Sequence, residues 1–120
     1  MFSETVLNHF RNPRNAGELP GATHSVEVSN PVCGDILRLA ARMESGRIAE
    51  ARFLCRGCAT AIAAASLTTE QLQDAVPENA RELTASAISA ALGDLPPATF
   101  HGAQLAESAV RALLTAIRRS

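Results

Sequence analysis

The hydrophobic pattern of this chain changes its period at Gly57, and that change constrains the fold more than any other feature. Before Gly57, apolar and polar residues alternate in three short stretches with turn residues between them, 25–29, 36–43 and 48–55. This alternation is the period of a β-strand with one buried face. After Gly57, apolar residues recur every three or four positions in three longer stretches, 58–74, 78–92 and 102–118. Strands followed by helices predict an α+β fold, a three-stranded antiparallel sheet covered on one face by helices.

The two ends of the chain complete the predicted architecture. A short N-terminal helix is predicted over 2–10, because Ser3 stands where a capping side chain is favoured. Its packing side is expected to carry four apolar residues, Phe2, Val6, Leu7 and Phe10. The run 102–118 predicts a long C-terminal helix, and 78–92 is expected to break near Thr84. With 120 residues in all, we expect one domain spanning 1–120.

The bulk composition argues against several classes of protein. The formal net charge is −1, so neither a nucleic acid nor a membrane surface is expected as a partner. The N-terminal stretch lacks the basic-then-apolar layout of a signal peptide, and no apolar run approaches the ~20 residues of a membrane helix. We therefore expect a cytoplasmic protein whose three cysteines stay reduced. Such cysteines serve as core residues, metal ligands or reactive groups.

Cys55 and Cys58 form a Cys-x-x-Cys pair where the third predicted strand gives way to a helix. The inner face of that strand is expected to carry Ala49, Ala51, Phe53 and Cys55. Free cysteine is among the most buried residue types, so Cys55 is expected to be a buried core thiol with no ligand role. Cys58 stands at a helix start, where free amide groups and the helix dipole favour a thiolate. The pair is thus interpreted as one working thiol and one buried thiol.

A redox role for the same pair is an alternative. Disulfide oxidoreductases also carry Cys-x-x-Cys between a strand and a helix, but after a βαβ start, whereas a hairpin precedes it here. A zinc half-site is a second alternative, and it requires further ligands from elsewhere in the chain.

Further ligands of the right chemistry occur at two other places. Cys33 and Asp35 stand two residues apart before the second strand, and in an extended chain that spacing points both side chains the same way. His101 stands where the diproline segment enters the last helix. With Cys58 they would make a tetrahedral set for zinc or iron. Each also has a structural interpretation: Cys33 as a core thiol, Asp35 as a turn residue, His101 as a polar helix start. His9 and His24 are interpreted as structural or solvated.

Four motifs follow one another in a recognisable order. They are Asn12-Pro13-Arg14-Asn15 after the opening helix, Cys33-Gly34-Asp35, Ala51-Arg52-Phe53 followed by Gly57-Cys58, and Leu95-Pro96-Pro97 followed by His101. Together they resemble the iron–sulfur cluster scaffold family of the IscU/NifU N-terminal type. The resemblance covers nearly the whole chain, and it implies the same α+β fold.

The resemblance also implies a site and a function. Cys33, Asp35, Cys58 and His101 match family positions that hold a nascent cluster or zinc. The third family cysteine falls on Gly102, which we expect to be an exposed helix-start residue that tolerates substitution. In the family this cysteine is implicated in accepting sulfur, so its loss bears on sulfur acceptance. Cys55 is not at a family ligand position.

The implied function is a non-enzymatic scaffold or carrier that holds an iron–sulfur cluster transiently, with zinc as another metal for the same residues. The implied partners are a cysteine desulfurase, acceptor apo-proteins and a dedicated chaperone. The chaperone segment of the family, Leu-Pro-Pro-Val-Lys, reads Leu95-Pro96-Pro97-Ala98-Thr99 here. Other functions stay open at this point: a degenerate relative that binds zinc or a desulfurase without building clusters, a thiol–disulfide oxidoreductase using Cys55 and Cys58, and an interaction module without metal.

Overall fold

Three antiparallel strands precede most of the helices in the computed structural model, which describes residues 2–31 and 34–120. The strands are β1 His24–Asn30, β2 Asp35–Glu44 and β3 Arg47–Arg56. The helices are α1 Glu4–Arg11, α2 Ala59–Leu72, α3 Pro77–Ala80, α4 Ala85–Ala91 and α5 His101–Arg119. The predicted α+β class is confirmed, with strands and helices in the expected order.

The sheet has the order β1-β2-β3 and both pairings are antiparallel. The inward residues of its two longer strands are large aliphatic, alanine or phenylalanine side chains, Leu37, Leu39, Ala41, Ile48, Ala51 and Phe53. Arg42 pairs with Glu50 whereas Met43 pairs with Ile48, so β3 carries one extra residue, Ala49, at a bulge. The prediction that Ala49 lies on the inner face is therefore wrong, because the bulge gives that place to Ile48, which is fully buried.

Helices cover only the inner face of the sheet. Helix α2 packs against β3, and α5 packs against β1 and β2. Ten of the fourteen residues of α2 are buried, since α1, α5 and β3 all pack around it. Its run Ala63-Ala64-Ala65 leaves room for these close neighbours. On the outer face, charged side chains pair across strands instead, for example Arg38 with Glu27 at 3.3 Å.

Helix α1 begins where Ser3 predicts it, because the Ser3 hydroxyl accepts a hydrogen bond from the Val6 amide. Val6 is buried as expected. Phe2 and Phe10, however, are 41% and 42% exposed, so their placement on the packing side is wrong. His9 is buried in its place, because its ring nitrogen Nδ1 lies within hydrogen-bond distance of the Ser66 hydroxyl on α2.

The segment after α1 closes the open edge of β3. Asn15 adopts a left-handed conformation (φ 62°), and its carbonyl accepts a hydrogen bond from the Phe53 amide at 2.9 Å. The Gly17 amide donates to the Phe53 carbonyl at 2.8 Å. The Asn15 side chain accepts from Gln73 at 2.8 Å, which ties the segment to the end of α2 as well. At Phe53, the edge of β3 is therefore already paired within the chain.

The connection from α2 to α5 brings the chain back to the end of the sheet where β2 begins. The predicted break near Thr84 is confirmed: the Thr84 hydroxyl caps α4 by accepting from the Ala87 amide. After α4, the exposed Pro96 leads through a 3₁₀ turn, Pro97–Thr99, into α5. None of the described helices is long and apolar enough to cross a membrane.

Candidate metal centre

Three of the four predicted ligands lie together at one end of the sheet. Asp35 is the first residue of β2, Cys58 is the N-cap of α2, and His101 is the first residue of α5. One donor atom from each lies within 4.8 Å of the other two. No other group of three His, Cys, Asp or Glu residues meets this condition in the described part of the chain. Cys33, the fourth predicted ligand, lies outside the described residues, so its place at the site stays a prediction.

The spacing of the three donor atoms suits a metal ion. The Cys58 Sγ lies 3.6 Å from the His101 Nε2, and the Asp35 Oδ2 lies 3.8 Å from the same nitrogen. Metal–ligand bonds of about 2.0–2.3 Å place neighbouring donors of a tetrahedral zinc site roughly 3.3–3.8 Å apart. The donors therefore stand at separations that an ion could bridge with small adjustments.

The Asp35 carboxylate is the most enclosed of the three donors. Asp35 is 7% exposed, and its Oδ2 is a buried atom without a hydrogen-bond partner among the described residues. A buried carboxylate oxygen without a partner costs free energy, and a bound cation would offset this cost. The orphaned oxygen thus fits a ligand role better than the turn-residue interpretation.

The N-terminal ends of two helices meet at this site. Cys58 caps the 14-residue α2 without a hydrogen bond from its side chain, so its sulfur is not engaged in capping. The 19-residue α5 begins at His101 and also lacks a side-chain cap. The free amide groups and dipoles of both helices favour negative charge at this point. The site therefore suits thiolate ligands and an anionic cargo.

Cys55 is less buried than its strand face predicts. It is half-buried and packs against the core, because it is the last but one residue of β3, where the sheet ends. Burial first, and then the charges of Asp35 and Cys58, raise the pKa of the Cys55 thiol to about 11. The thiol is therefore protonated at neutral pH. Cys55 lies outside the three-residue group. That it is no ligand stays a prediction.

Gly102 differs from its expected surroundings. It is buried, and a Cβ added there would lie 3.0 Å from the Ala61 nitrogen and 3.1 Å from the Thr60 Cγ2. The expectation of an exposed, tolerant helix start is wrong, because α5 and α2 approach each other closely here. A side chain at residue 102 would nevertheless point towards the first turn of α2, the helix that Cys58 caps.

The two other histidines have structural contacts. His9 Nδ1 lies 2.8 Å from the Ser66 hydroxyl, and His24 Nδ1 lies 2.9 Å from the Thr23 hydroxyl. Neither belongs to the three-residue group. In the sequence, Gly57 stands where the hydrophobic period changes and forms part of the Gly57-Cys58 motif. The structure shows that Gly57 also lies against the Asp35 carboxylate, and no sequence period could have indicated that contact.

The fold and the site define a small α+β protein in which oxygen, nitrogen and sulfur donors lie close enough together to hold a metal ion. The chain belongs to the family described as the NifU-like N terminal domain, which matches residues 1–119.

Its relatives carry consistent names. It is 40% identical over 111 residues to the iron-sulfur cluster assembly scaffold protein IscU 1 of Archaeoglobus fulgidus, covering 92% of this chain and 72% of that protein. It is 38% identical to the IscU scaffold protein of Azotobacter vinelandii, covering 92% and 89%. A relative from Drosophila melanogaster, 37% identical and covered to 76%, is named an iron-sulfur cluster assembly enzyme, IscU.

Solved structures agree on the fold. A structure titled a hypothetical protein superposes with a TM-score of 0.70 at 27% identity, covering 96% of this chain and 95% of that one. A structure titled a putative iron-sulfur cluster assembly scaffold protein for the SUF system, from Fervidobacterium islandicum, superposes with a TM-score of 0.66 at 19% identity, covering 99% and 95%. The second likeness concerns the fold alone.

Proposed function

We propose that this chain is an iron–sulfur cluster assembly scaffold or carrier, acting as a single domain over 1–120 and without catalysis of its own. The observation that carries the proposal is the convergence of Asp35, Cys58 and His101, with donor atoms within 4.8 Å, in a chain of the NifU-like family. Most of the similar proteins are named scaffolds, as in Archaeoglobus fulgidus and Escherichia coli.

The four residues have different roles in this proposal. Cys58 and Cys33 supply thiolates, the soft ligands that iron–sulfur clusters take. His101 supplies an imidazole, and Asp35 supplies one oxygen. A carboxylate is a harder and weaker ligand for such a cargo than a thiolate. The set therefore favours a cluster that is held briefly and handed on. Zinc, which accepts thiolate, imidazole and carboxylate ligands, is proposed as another metal for the same residues.

The proposed partners follow from the chemistry of the cargo. A scaffold without catalysis needs a sulfur donor, for which we propose a cysteine desulfurase, and acceptor apo-proteins that take the cluster. A dedicated chaperone is proposed to bind the segment 95–99. That segment ends two residues before His101, and its Pro96, Pro97 and Ala98 are exposed. We propose a cytoplasmic location, where thiols stay reduced.

Anaerobic reconstitution with iron and sulfide tests the proposal. The chain has no Trp and no Tyr, so a bound cluster stands out against a weak protein absorbance. The wild type is expected to develop visible absorbance with iron and sulfide bound in proportion. A Cys58→Ala variant is expected to lose it, and Cys55→Ala serves as the control that keeps it. A colourless wild type would contradict cluster assembly.

One observation favours a second candidate, a relative that binds zinc without building clusters. Gly102 offers no thiol at the third family position, and its surroundings leave little room for a side chain. Wild-type protein that binds one zinc ion but stays colourless on reconstitution would support this candidate. The oxidoreductase alternative is not favoured, because the chain belongs to the NifU-like family and its similar proteins are named for iron-sulfur cluster assembly.

A further inference from the structure

The Asp35 carboxylate occupies the space that a side chain at residue 57 would need. A Cβ added at Gly57 would lie 2.9 Å from the Asp35 Cγ and 3.1 Å from each carboxylate oxygen. Gly57 has no left-handed backbone, unlike Gly34 and Gly46, whose added Cβ atoms would meet open space. The structure therefore favours glycine at residue 57 because the position lacks space for a side chain, and not because its backbone conformation requires glycine.

The strand register brings these two residues together. The β2–β3 pairing ends with Ile36 opposite Arg56, so the chain leaves β3 at Gly57 beside Asp35, the residue before Ile36. Side chains alternate along a strand, so Asp35 shares the helix-covered face with Leu37. On that face the carboxylate is confined between the chain at residue 57 and the start of α5, where His101 lies 3.8 Å from its Oδ2.

The confined carboxylate keeps one oxygen available. The Asp35 Oδ2 is buried and has no hydrogen-bond partner among the described residues. Such an oxygen costs free energy in the folded protein, so Asp35 would gain by turning towards water if the packing let it. The Asp35 carboxylate can keep this inward position partly because Gly57 presents only its backbone there.

We propose that Gly57 is a positioning residue for Asp35, and this inference rests on the proposed metal-binding function. By having no side chain, Gly57 lets the carboxylate lie inward with its Oδ2 beside Cys58 and His101. Any side chain at residue 57 displaces the carboxylate and removes the oxygen ligand, while the sulfur and nitrogen ligands remain. Gly57 thus sets the donor composition of the site without touching the metal.

A double-mutant cycle tests the inference with Gly57→Ala, Asp35→Ala and the double variant beside the wild type. Zn²⁺ affinity is measured by competition, and Co²⁺ ligand-field absorbance reports the donor set. Gly57→Ala is expected to weaken Zn²⁺ binding about as much as Asp35→Ala, on the order of 10-fold or more, as when the support of a ligand is lost. The double variant is expected to bind no more weakly than Asp35→Ala alone, because the same oxygen is already gone.

The stability of the metal-free proteins is a second readout. Gly57→Ala is expected to lower the urea midpoint when Asp35 is present and to have little effect in the Asp35→Ala background, where the added methyl group fills vacated space.

Additive losses of affinity, or a Gly57→Ala variant that binds as the wild type does, would overturn the inference. If Gly57→Ala alone fails to fold, the double variant must still fold and match Asp35→Ala. A double variant that also fails would show that residue 57 acts through something other than Asp35.

The cycle separates this inference from the proposed function. Equal Zn²⁺ affinities of the wild type and Asp35→Ala would mean that Asp35 is no ligand, and the proposed site would fail with the inference. A loss in Asp35→Ala without a loss in Gly57→Ala would leave the site standing and reject only the role of Gly57.

Discussion

Asp35 and Cys58, two of the proposed ligands, differ in how far their donor atoms are exposed to solvent. Asp35 is buried with a carboxylate oxygen that lacks a hydrogen-bond partner in the described structure, so it is held in place by packing. Cys58 is exposed at a helix N-cap, so its sulfur is reachable from solvent and lies in the field of the α2 amides. In the proposed site, we expect the enclosed oxygen to stay fixed by its packing and the exposed sulfur to be the atom that an incoming cluster or partner reaches.

Cys55 allows a prediction at the scale of one residue. Cys55→Ala is expected to keep the metal content of the wild type, because the thiol stands outside the three-residue group and stays protonated at neutral pH. The free energy of unfolding is expected to fall by about 1 kcal/mol, since a half-buried side chain leaves a small cavity. Metal analysis of purified protein and urea denaturation provide the two measurements. Lost metal with unchanged stability would identify Cys55 as a third thiolate ligand.

At the scale of elements, the site exists because two helix starts and two strand ends meet. The start of β2 supplies Asp35, the turn after β3 supplies Gly57 and Cys58, and the start of α5 supplies His101. Each of these residues lies at or next to the end of a strand or helix, and none lies in the middle of one. Because α5 approaches α2 closely at Gly102, His101 lies near Asp35 and Cys58.

The approach of these two helices makes Gly102 sensitive to substitution. Gly102→Ala is expected to cost roughly 1–3 kcal/mol, because its Cβ would crowd the Ala61 backbone and the Thr60 methyl group. Gly102→Cys is expected to cost a similar amount without metal but to bind Zn²⁺ more tightly than Gly102→Ala, since a thiolate at the start of α5 can join the site. Urea denaturation and zinc competition on both variants check this. Equal zinc affinities would show that a side chain at residue 102 does not reach the ligands.

The sequence predicted the elements well and the site in part. Alternation and helical periods located the sheet and the helices, and the break at Thr84, because these patterns are local. Ala49 was misplaced, since a bulge depends on the pairing of two strands. The grouping of Asp35, Cys58 and His101 is predicted by their ligand chemistry and by the motif resemblance, whereas the contact of Gly57 with Asp35 and the burial of Gly102 depend on tertiary packing. Periodicity carries no information on such contacts.

At the scale of the whole molecule, one buried cluster joins the N-terminal helix to the rest of the fold. His9 Nδ1 lies 2.8 Å from the Ser66 hydroxyl, and the Arg14 amide donates to the same hydroxyl oxygen at 2.9 Å. The hydroxyl hydrogen is then free to be donated to His9 Nδ1, which leaves the proton of a neutral ring on Nε2. That nitrogen lies 3.5 Å from a carboxylate oxygen of Glu70. The cluster thereby connects α1, the segment after it and α2.

This cluster predicts how the stability of the molecule depends on pH. Burial first, and then the Arg14 guanidinium, lower the pKa of His9, while Glu70 opposes the shift. A histidine with a lowered folded-state pKa binds protons more readily in the unfolded state, so stability is lost as pH falls below the unfolded value of about 6.5. His9→Asn keeps an acceptor for the Ser66 hydroxyl without titrating. Urea denaturation between neutral and mildly acidic pH is expected to show a steeper loss of unfolding free energy in the wild type than in His9→Asn. Parallel pH profiles of the two proteins would contradict the prediction and would assign the acid sensitivity to the carboxylates that both proteins share.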